Sequence, residues 1–367
     1  MVPKIVLTGG PCAGKSTAQT YLLQKFGDRG YYPIFVPEAP TLLMLGNITP
    51  HSGFFSEQTF ERSVIEMASN LERVAEKAAK ECTHPKPLMF FDRGIPDAES
   101  YIEEPGLYEK ILCELGLGSK VEVRDRRYKG VFHLRTAALG AEAFYTTANN
   151  TVRRESSLQE ARMKDECTLQ VWNGHPHLRV IDNSTDFAGK LARLDREICS
   201  LLGVPVPLEI EKKFLCAPPT AIPVPMQRIE IEQVYLYSSD PSVVMRVRKR
   251  GQFGSFVYFK TEKRDVRPGV RVETEHFITA EEYECSVRFQ LPGTRIIKKD
   301  RYCFIYENQY FEFDRIPHDS GSLYLLEIEL TEMTHQPRLP PFLRILRDVT
   351  DDPHYTNRAI AELSWRP

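Results

Sequence analysis

Residues 7–17, LTGGPCAGKST, constrain this chain more than any other stretch. The spacing G-x-x-x-x-G-K-[ST] falls on Gly9, Gly14, Lys15 and Ser16. It follows an apolar, β-rich run, KIVLT at 4–8, and precedes AQTYLLQKF at 18–26, which suits a helix. A strand, a glycine loop and a helix in that order make a phosphate cradle. The glycines let backbone N–H groups curl around an anion with no Cβ in the way, and the helix start adds the positive end of its dipole. The loop Gly9, Gly10, Pro11, Cys12, Ala13, Gly14, Lys15, Ser16 and Thr17 is expected to hold nucleotide phosphates. In that arrangement Lys15 reaches the β and γ phosphates and Ser16 ligates Mg²⁺. A glycine turn that merely joins a strand to a helix is the bland alternative. Cys12 reads as a small filler, because neither a paired His nor a second nearby Cys accompanies it.

Four further apolar runs follow: PIFV at 33–36, LMFF at 88–91, GVFHL at 130–134 and LRVI at 178–181. Helical stretches separate them, which predicts βαβ units and a parallel sheet. In SEQTFERSVIEMASNLERVAEKAAKE, 56–81, residues Phe60, Val64, Met67, Leu71, Val74 and Ala78 mark one apolar stripe of a long helix. Ligands of such sheets sit beyond the carboxyl ends of the strands. There the third run ends on Asp92, placed to hold Mg²⁺ or to accept a proton, and the second is followed by Glu38. Asn183, Ser184 and Thr185 follow the fifth run and either contact the nucleotide base or cap the next helix. Arginines crowd 124–162, and Arg153 and Arg154 are candidates for a lid that closes on the transferring phosphate. His175 and His177 lack partners at metal-ligand spacing and read as structural.

The charges are balanced, 48 Lys and Arg against 50 Asp and Glu, so no global field recruits nucleic acid or an anionic membrane. Eight cysteines without a C-x-x-C pair argue against zinc and disulfides and for a reducing compartment. No apolar run approaches the roughly 20 residues of a membrane span, and the strand-first N-terminus leaves no signal peptide; a soluble cytoplasmic protein is expected.

A chain of 367 residues suggests two domains, and prolines in GVPVPLE, 203–209, place the boundary near 206. Beyond it charge alternates with period two: Glu209, Glu211, Lys213; Arg246, Arg248, Arg250; Lys260, Glu262; Arg271, Glu273, Glu275; Lys299, Arg301; Glu312, Asp314; Glu327, Glu329. The positions between are largely apolar or aromatic. A solvated outer face over an apolar inner one is one explanation. An antiparallel barrel lined with charge explains both signs better, its basic groups clasping polyphosphate and its carboxylates holding divalent ions.

The E-x-E-x-K opening, the later basic and acidic pairs, and DVTDDPHYTNRAIA at 348–361 resemble the CYTH, or triphosphate tunnel, superfamily. FFDRGIPD, VFHLRTAA, WNGHPH and VIDNSTDF resemble the P-loop, AAA-like domain of nicotinamide riboside kinases. The likeness is closer to insect-type TRP-channel translocation factors, GTP-binding proteins that also join a P-loop half to a CYTH-like half. The resemblance implies an α/β P-loop domain, 1–205, followed by an antiparallel β-barrel tunnel domain, 206–367, α+β overall. It implies GTP or ATP in the first domain. In the second it implies a phosphorylated small molecule or lipid headgroup, held by Lys213, Arg246, Arg248, Lys260, Arg271, Lys299 and Arg301. Mg²⁺ is expected on Ser16 and Asp92, and Mg²⁺ or Mn²⁺ on Glu209, Glu211, Glu327 and Glu329. Nucleotide hydrolysis coupled to the tunnel ligand is the leading expectation. A small-molecule kinase with Asp92 as base, a tunnel triphosphatase, and a non-catalytic phosphoinositide-binding trafficking adaptor with a protein partner are the alternatives.

Overall fold

The computed structural model describes residues 2–50, 53–145, 157–204, 210–240, 242–267, 270–319, 321–330 and 336–366; the side chains of 265–273 also lie outside that description. The chain divides into two compact units, Met1–Ile198 and Cys199–Pro367. The boundary expected near 206 falls at 205–209, outside the described residues.

In the first unit all five apolar runs become strands: β1 (Lys4–Thr8), β2 (Tyr32–Val36), β3 (Pro87–Asp92), β4 (Gly130–Leu134) and β5 (Leu178–Ile181). They form one parallel sheet in the order β2-β3-β1-β4-β5. β1 and β4 are buried along their whole length, as expected of parallel strands covered on both faces. The covering helices are α1 (Lys15–Asp28), α2 (Ala39–Leu45), α3 (Glu57–Glu81), α4 (Leu107–Glu114), α5 (Lys120–Asp125), α6 (Leu158–Trp172) and α7 (Phe187–Leu202). From β1 the chain builds β2 and β3 on one side, then crosses to β4 and β5 on the other. The order reverses at β1, which places a crevice beside the phosphate loop.

α3 departs from its expected stripe. Phe60 and Val64 are buried, but Val74 is 59% exposed and Ala75 and Ala79 take the inner positions. A straight helix drifts by about 20° per heptad, so the seven-residue series 60, 67, 74 rotates off the core. An eleven-residue spacing stays on it, and thereby buries Glu61 and Glu72 as well.

The second unit is one antiparallel sheet in the order β10-β9-β8-β7-β11-β12-β13-β6-β14. Its strands are β6 (Ile210–Cys216), β7 (Met226–Leu236), β8 (Val243–Gln252), β9 (Ser255–Arg267), β10 (Val270–Ile278), β11 (Ile297–Tyr306), β12 (Gln309–His318), β13 (Gly321–Leu330) and β14 (Ile345–Asp348). Two helices accompany them, α8 (Ala280–Val287) and α9 (Asn357–Ala361). Cross-strand pairs put Arg248 opposite Gln233, Arg301 opposite Asp314, Glu312 opposite Glu327, and Lys213 opposite Glu327, so these side chains share one face. That face is not solvated: Lys213, Arg250, Lys299, Asp314 and Glu327 are buried. Parts of the opposite face are buried too, Val247 in a cluster with α8's Tyr283, and Phe304, Leu326 and Ile328 in another, while Arg228, Glu230, Lys298 and Arg315 are exposed on it. A charge-lined interior therefore fits the first of these faces, and a solvated surface does not.

No described helix is long and apolar enough to cross a membrane. Phe304, fully buried between Phe311 and Phe342, anchors the second unit's aromatic cluster. Phe304→Ala is expected to cost about 3–5 kcal/mol. Urea denaturation in a Trp172→Phe background, with Trp365 reporting, measures it; a loss below about 1 kcal/mol would place Phe304 outside a packed core.

Candidate functional site

The phosphate loop is fixed by contacts that only glycine permits. Gly9 has φ 139°, and a Cβ there would lie 2.1 Å from the Leu134 carbonyl oxygen. A Cβ on Gly10 would lie 2.7 Å from the Asp165 side chain, whose Oδ1 accepts the Gly10 N–H at 2.8 Å. Asp165 also accepts from the Thr136 N–H (3.0 Å) and Arg135 Nη1 (2.8 Å), and pairs with His133 Nε2 (3.2 Å). Burial alone would raise its pKa, but His133 and Arg135 more than offset that and hold the carboxyl well below the usual range. From the other side Lys190 Nζ donates to Ala13 O (3.1 Å), Arg135 O (2.6 Å) and Asn183 Oδ1 (2.8 Å). Gly14, φ 87°, caps α1 and leaves space that the Phe187 ring fills. The N-terminus of α1 is thus presented beside the loop.

A cavity of about 840 Å³ opens on this loop. Residues 11–17 line it, together with Glu38, Asp92, Arg93, Asp97, Asn183 and Thr185, so the loop and the two strand-end carboxylates meet in one space. Burial, with the nearby Arg93 guanidinium, lowers the Lys15 pKa. The two carboxylates are pushed apart. Burial and the Glu38 charge raise Asp92, against the pull of Lys15 and Arg93. At Glu38 the penalty of burial is more than offset by Arg93, which donates to its Oε2 at 3.2 Å, and by Lys15, so its pKa falls. Divergent pKa values on neighbouring acids separate a proton acceptor from a permanent counter-ion. Asp92 Oδ1 is buried without a hydrogen-bond partner.

Two groups here carried no individual signal in the sequence. Arg93 stands at φ 68°, a left-handed conformation costly for a non-glycine residue. Asp97 holds that turn: it accepts from Thr8 Oγ1, the Gly94 N–H (2.8 Å) and Trp172 Nε1 (3.3 Å). FFDRGIPD suggested family likeness, but nothing in it separated these two roles.

Other expected residues are placed differently. Asn183 lines the cavity, yet its Nδ2 donates to Thr136 O (2.8 Å) and Leu139 O (2.7 Å), and its Oδ1 receives Lys190. Its amide is therefore committed to joining the loops after β4 and β5, not to a base. Ser184 Oγ bonds Asp182 Oδ1 and Arg193 Nη1. Arg153 and Arg154 lie outside the described residues. Arg124, Arg135 and Arg162 are tied to Asp125, Asp165 and the Ala138 carbonyl, as parts of the domain rather than of a lid.

Ser16 and Asp92 are hard oxygen donors on one cavity and fit a Mg²⁺ that takes its other ligands from phosphate and water. Such an ion neutralises phosphate oxygens. Among the described residues the second unit offers no comparable set. Glu327 is engaged by Lys213 (2.9 Å) and Arg301 (2.7 Å), Glu211 stands 3.6 Å from Lys213, and Glu209 lies outside the described residues. Glu329 is directly opposite Glu211 and exposed. No cluster of three or more His, Cys, Asp or Glu suited to a metal occurs among the described residues.

The charged face of the second unit sorts into two parts. Lys213, Lys299 and Arg301 interlock with Glu312, Asp314 and Glu327. Arg301 would lose proton affinity by burial, but Asp314 and Glu312 reverse this and raise it well above the ordinary value. On β8, Arg248 is lowered to about 10 by burial and by the like charge of Arg246. Lys260, expected on this face, is not there. It pairs with Val247, on the opposite face from Arg246 and Arg248; Thr261 and Lys263 take the inner register positions of β9. The alternation misled because KTEKR carries charge at both parities. The side chain of Arg271 lies outside the described residues.

A parallel sheet with a glycine loop after its central strand and an acid closing the neighbouring strand defines a P-loop fold. The chain belongs to the AAA domain family, which matches residues 4–190. Over 162 residues it is also 31% identical to an inorganic triphosphatase of Nitrosomonas europaea, covering 42% of this chain and 96% of that protein. Solved structures similar to it include that of an inorganic triphosphatase, 29% identical over 42% of this chain and 93% of that one, TM-score 0.31. Another is a Pyrococcus horikoshii protein, 20% identical over 34% of this chain and 80% of that one, TM-score 0.26.

Burial lowers Lys190 to about 8 from 10.5. Between those values the unfolded chain binds a proton that the folded chain lacks, so stability rises with pH across that window. Denaturation of wild type and Lys190→Met from pH 7 to 11 is expected to differ by a rise on the order of a few kcal/mol, present only in wild type. Parallel profiles would show that Lys190 is already charged without penalty.

Proposed function

We propose that the first unit binds and hydrolyses a purine nucleoside triphosphate, GTP or ATP, with Mg²⁺, and that the second unit holds a polyphosphate or multiply phosphorylated ligand. The observation that carries the first part is the convergence of Lys15, the α1 N-terminus, Asp92 and Glu38 on one cavity. In this reading Asp92 reaches the Mg²⁺ only through water and accepts a proton from the attacking water. The water oxygen bonds to the γ phosphorus, and the bond from that phosphorus to the bridging oxygen breaks. Nucleoside diphosphate and inorganic phosphate leave. Lys15 and the helix N-terminus stabilise the charge that gathers on the departing phosphates. Glu38 stays ionised as the counter-ion of Arg93.

A second reading, transfer to a small hydroxyl compound, is favoured by one feature of the same cavity. It continues along α3 past Glu61, Val64, Ile65 and Ala68 to Glu72, whose buried Oε1 has no hydrogen-bond partner. That wall gives an acceptor somewhere to lie. Nucleoside diphosphate formed in excess of inorganic phosphate would reveal it.

For the second unit, the likeness to an inorganic triphosphatase and the CYTH-like E-x-E-x-K stretch support a phosphate-rich ligand. The positive field at Arg248 supports it physically. No metal-dependent step is assigned there.

Lys15→Ala is expected to abolish Mg²⁺-dependent nucleotide hydrolysis. Asp92→Asn should lower kcat by about 100-fold or more with binding retained. Arg248→Ala should weaken tripolyphosphate binding while leaving nucleotide turnover intact. Phosphate release and calorimetric titration on the same preparations measure all three. Hydrolysis that survives Lys15→Ala would move the activity out of this cavity.

A further inference from the structure

We propose that the nucleotide base is held by stacking on Phe144 and Phe187 at the outer end of the cavity, and that stacking outweighs edge recognition there. The inference rests on nucleotide binding at the phosphate loop and adds the part of the ligand that the loop does not touch.

Phe144 is 81% exposed and Phe187 44% exposed, yet both line the cavity. Two large apolar rings left open to water at the rim of a concave site call for an occupant with an apolar face. Their placement fits a base. The Phe187 ring packs on Gly14, 2.6 Å from where a Cβ would stand, directly beside the α1 N-terminus. A nucleotide whose phosphates lie on residues 11–17 must carry its base away from Lys15, and Gly14 with Phe187 forms that exit. Phe144 reaches the cavity from the segment after β4, beyond Gly140, whose Cβ position is 3.8 Å from Asn183 Cβ.

Most polar groups around this end already have partners. Asn183 donates both amide hydrogens to backbone carbonyls and its oxygen accepts from Lys190. Ser184 Oγ is held by Asp182 and Arg193. Thr185 Oγ1 donates to Asp186 O (3.1 Å) and accepts from Arg193 Nη2 (3.3 Å), while Asp186 Oδ1 caps Gly189 N–H at 2.8 Å. The largest surface left for recognition is aromatic, beside the second Asp186 carboxylate oxygen. Stacking is tolerant of base identity, because every base has a π face. The chemistry expected here is a purine triphosphate with weak discrimination between adenine and guanine.

The test is calorimetric titration of ATP, GTP and inorganic tripolyphosphate into the full chain, scoring only the component that Lys15→Ala removes. Wild type should bind ATP and GTP with similar affinity, and both more tightly than tripolyphosphate. Phe144→Ala and Phe187→Ala should each weaken ATP and GTP by the same factor, roughly tenfold. Tripolyphosphate should be unaffected, and Phe144→Tyr and Phe187→Tyr should restore nucleotide affinity. Unchanged nucleotide affinity in both alanine variants overturns the proposal, as does a loss confined to one base. Should Phe187→Ala also weaken tripolyphosphate, the ring supports the loop itself and Phe144→Ala decides. If Lys15→Ala removes no nucleotide component, the underlying site assignment fails before any phenylalanine is tested.

Discussion

A carboxylate taken out of water must be met by donors, and Asp165 meets that demand by drawing three parts of the chain together. It sits on α6, accepts the N–H of Gly10 from the phosphate loop and of Thr136 after β4, and is flanked by Arg135 and His133. Were any of these withdrawn, a buried charge would be left short of partners, at a cost of several kcal/mol. The loop conformation, the ends of β1 and β4 and the docking of α6 are therefore one cooperative arrangement. Lys190 supplies the complementary half, a buried cation that gathers carbonyl oxygens from the same segments. Between a buried anion that collects N–H groups and a buried cation that collects carbonyls, the loop has little freedom to collapse. Lys15 and Asp92 inherit that rigidity.

The second unit faces the same electrostatic problem and solves it by pairing along strands. Arg301 serves Glu312, Asp314 and Glu327 at once, and Lys213 and Lys299 complete the cluster. Strand register sets Arg301 across from Asp314 and Lys213 across from Glu327, while Glu312 and Glu327 face each other and share Arg301. β8 is different: on it like charges follow one another at alternate positions, and Arg248 is depressed by burial and by the like charge of Arg246, against the pull of Glu275. One part of the sheet is neutral in itself, whereas β8 gathers basic side chains. Carboxylates engaged in the neutral part act as counter-ions, and among the described residues they form no metal-ligand cluster.

What was legible in the sequence was what local covalent chemistry dictates. KIVLT and GVFHL form strands over the residues their apolar runs delimit, because a run buried on both faces has no other stable partner than a covered sheet. Gly9 and Gly14 were legible because backbone close to an anion leaves no room for a Cβ, and Asp92 because it closes a strand at the switch point. Asp165 and Lys190 were not. The loop groups they hold are more than a hundred residues distant, Gly10 from Asp165 and Ala13 from Lys190, and no local spacing reports that distance. Lys260 failed for a different reason: parity is fixed by the partner strand, and where both parities carry charge the sequence alone does not choose. Val74 fell off α3's inner face through the mismatch between seven residues and two helical turns. For Asn183 the sequence left two roles open, and its amide hydrogens serve the scaffold at the edge of the cavity.

The like-charged arginines of β8 have a consequence for how the second unit meets the cell. Basic side chains gathered on one strand concentrate the small anions around them. Under the proposal made above, binding there is an exchange: a polyphosphate enters by displacing chloride, inorganic phosphate or a nucleotide already drawn in. Its apparent affinity is then a ratio, set as much by the anion composition of the medium as by the protein. Two media of equal ionic strength but different phosphate content would present the same polypeptide with different selectivity.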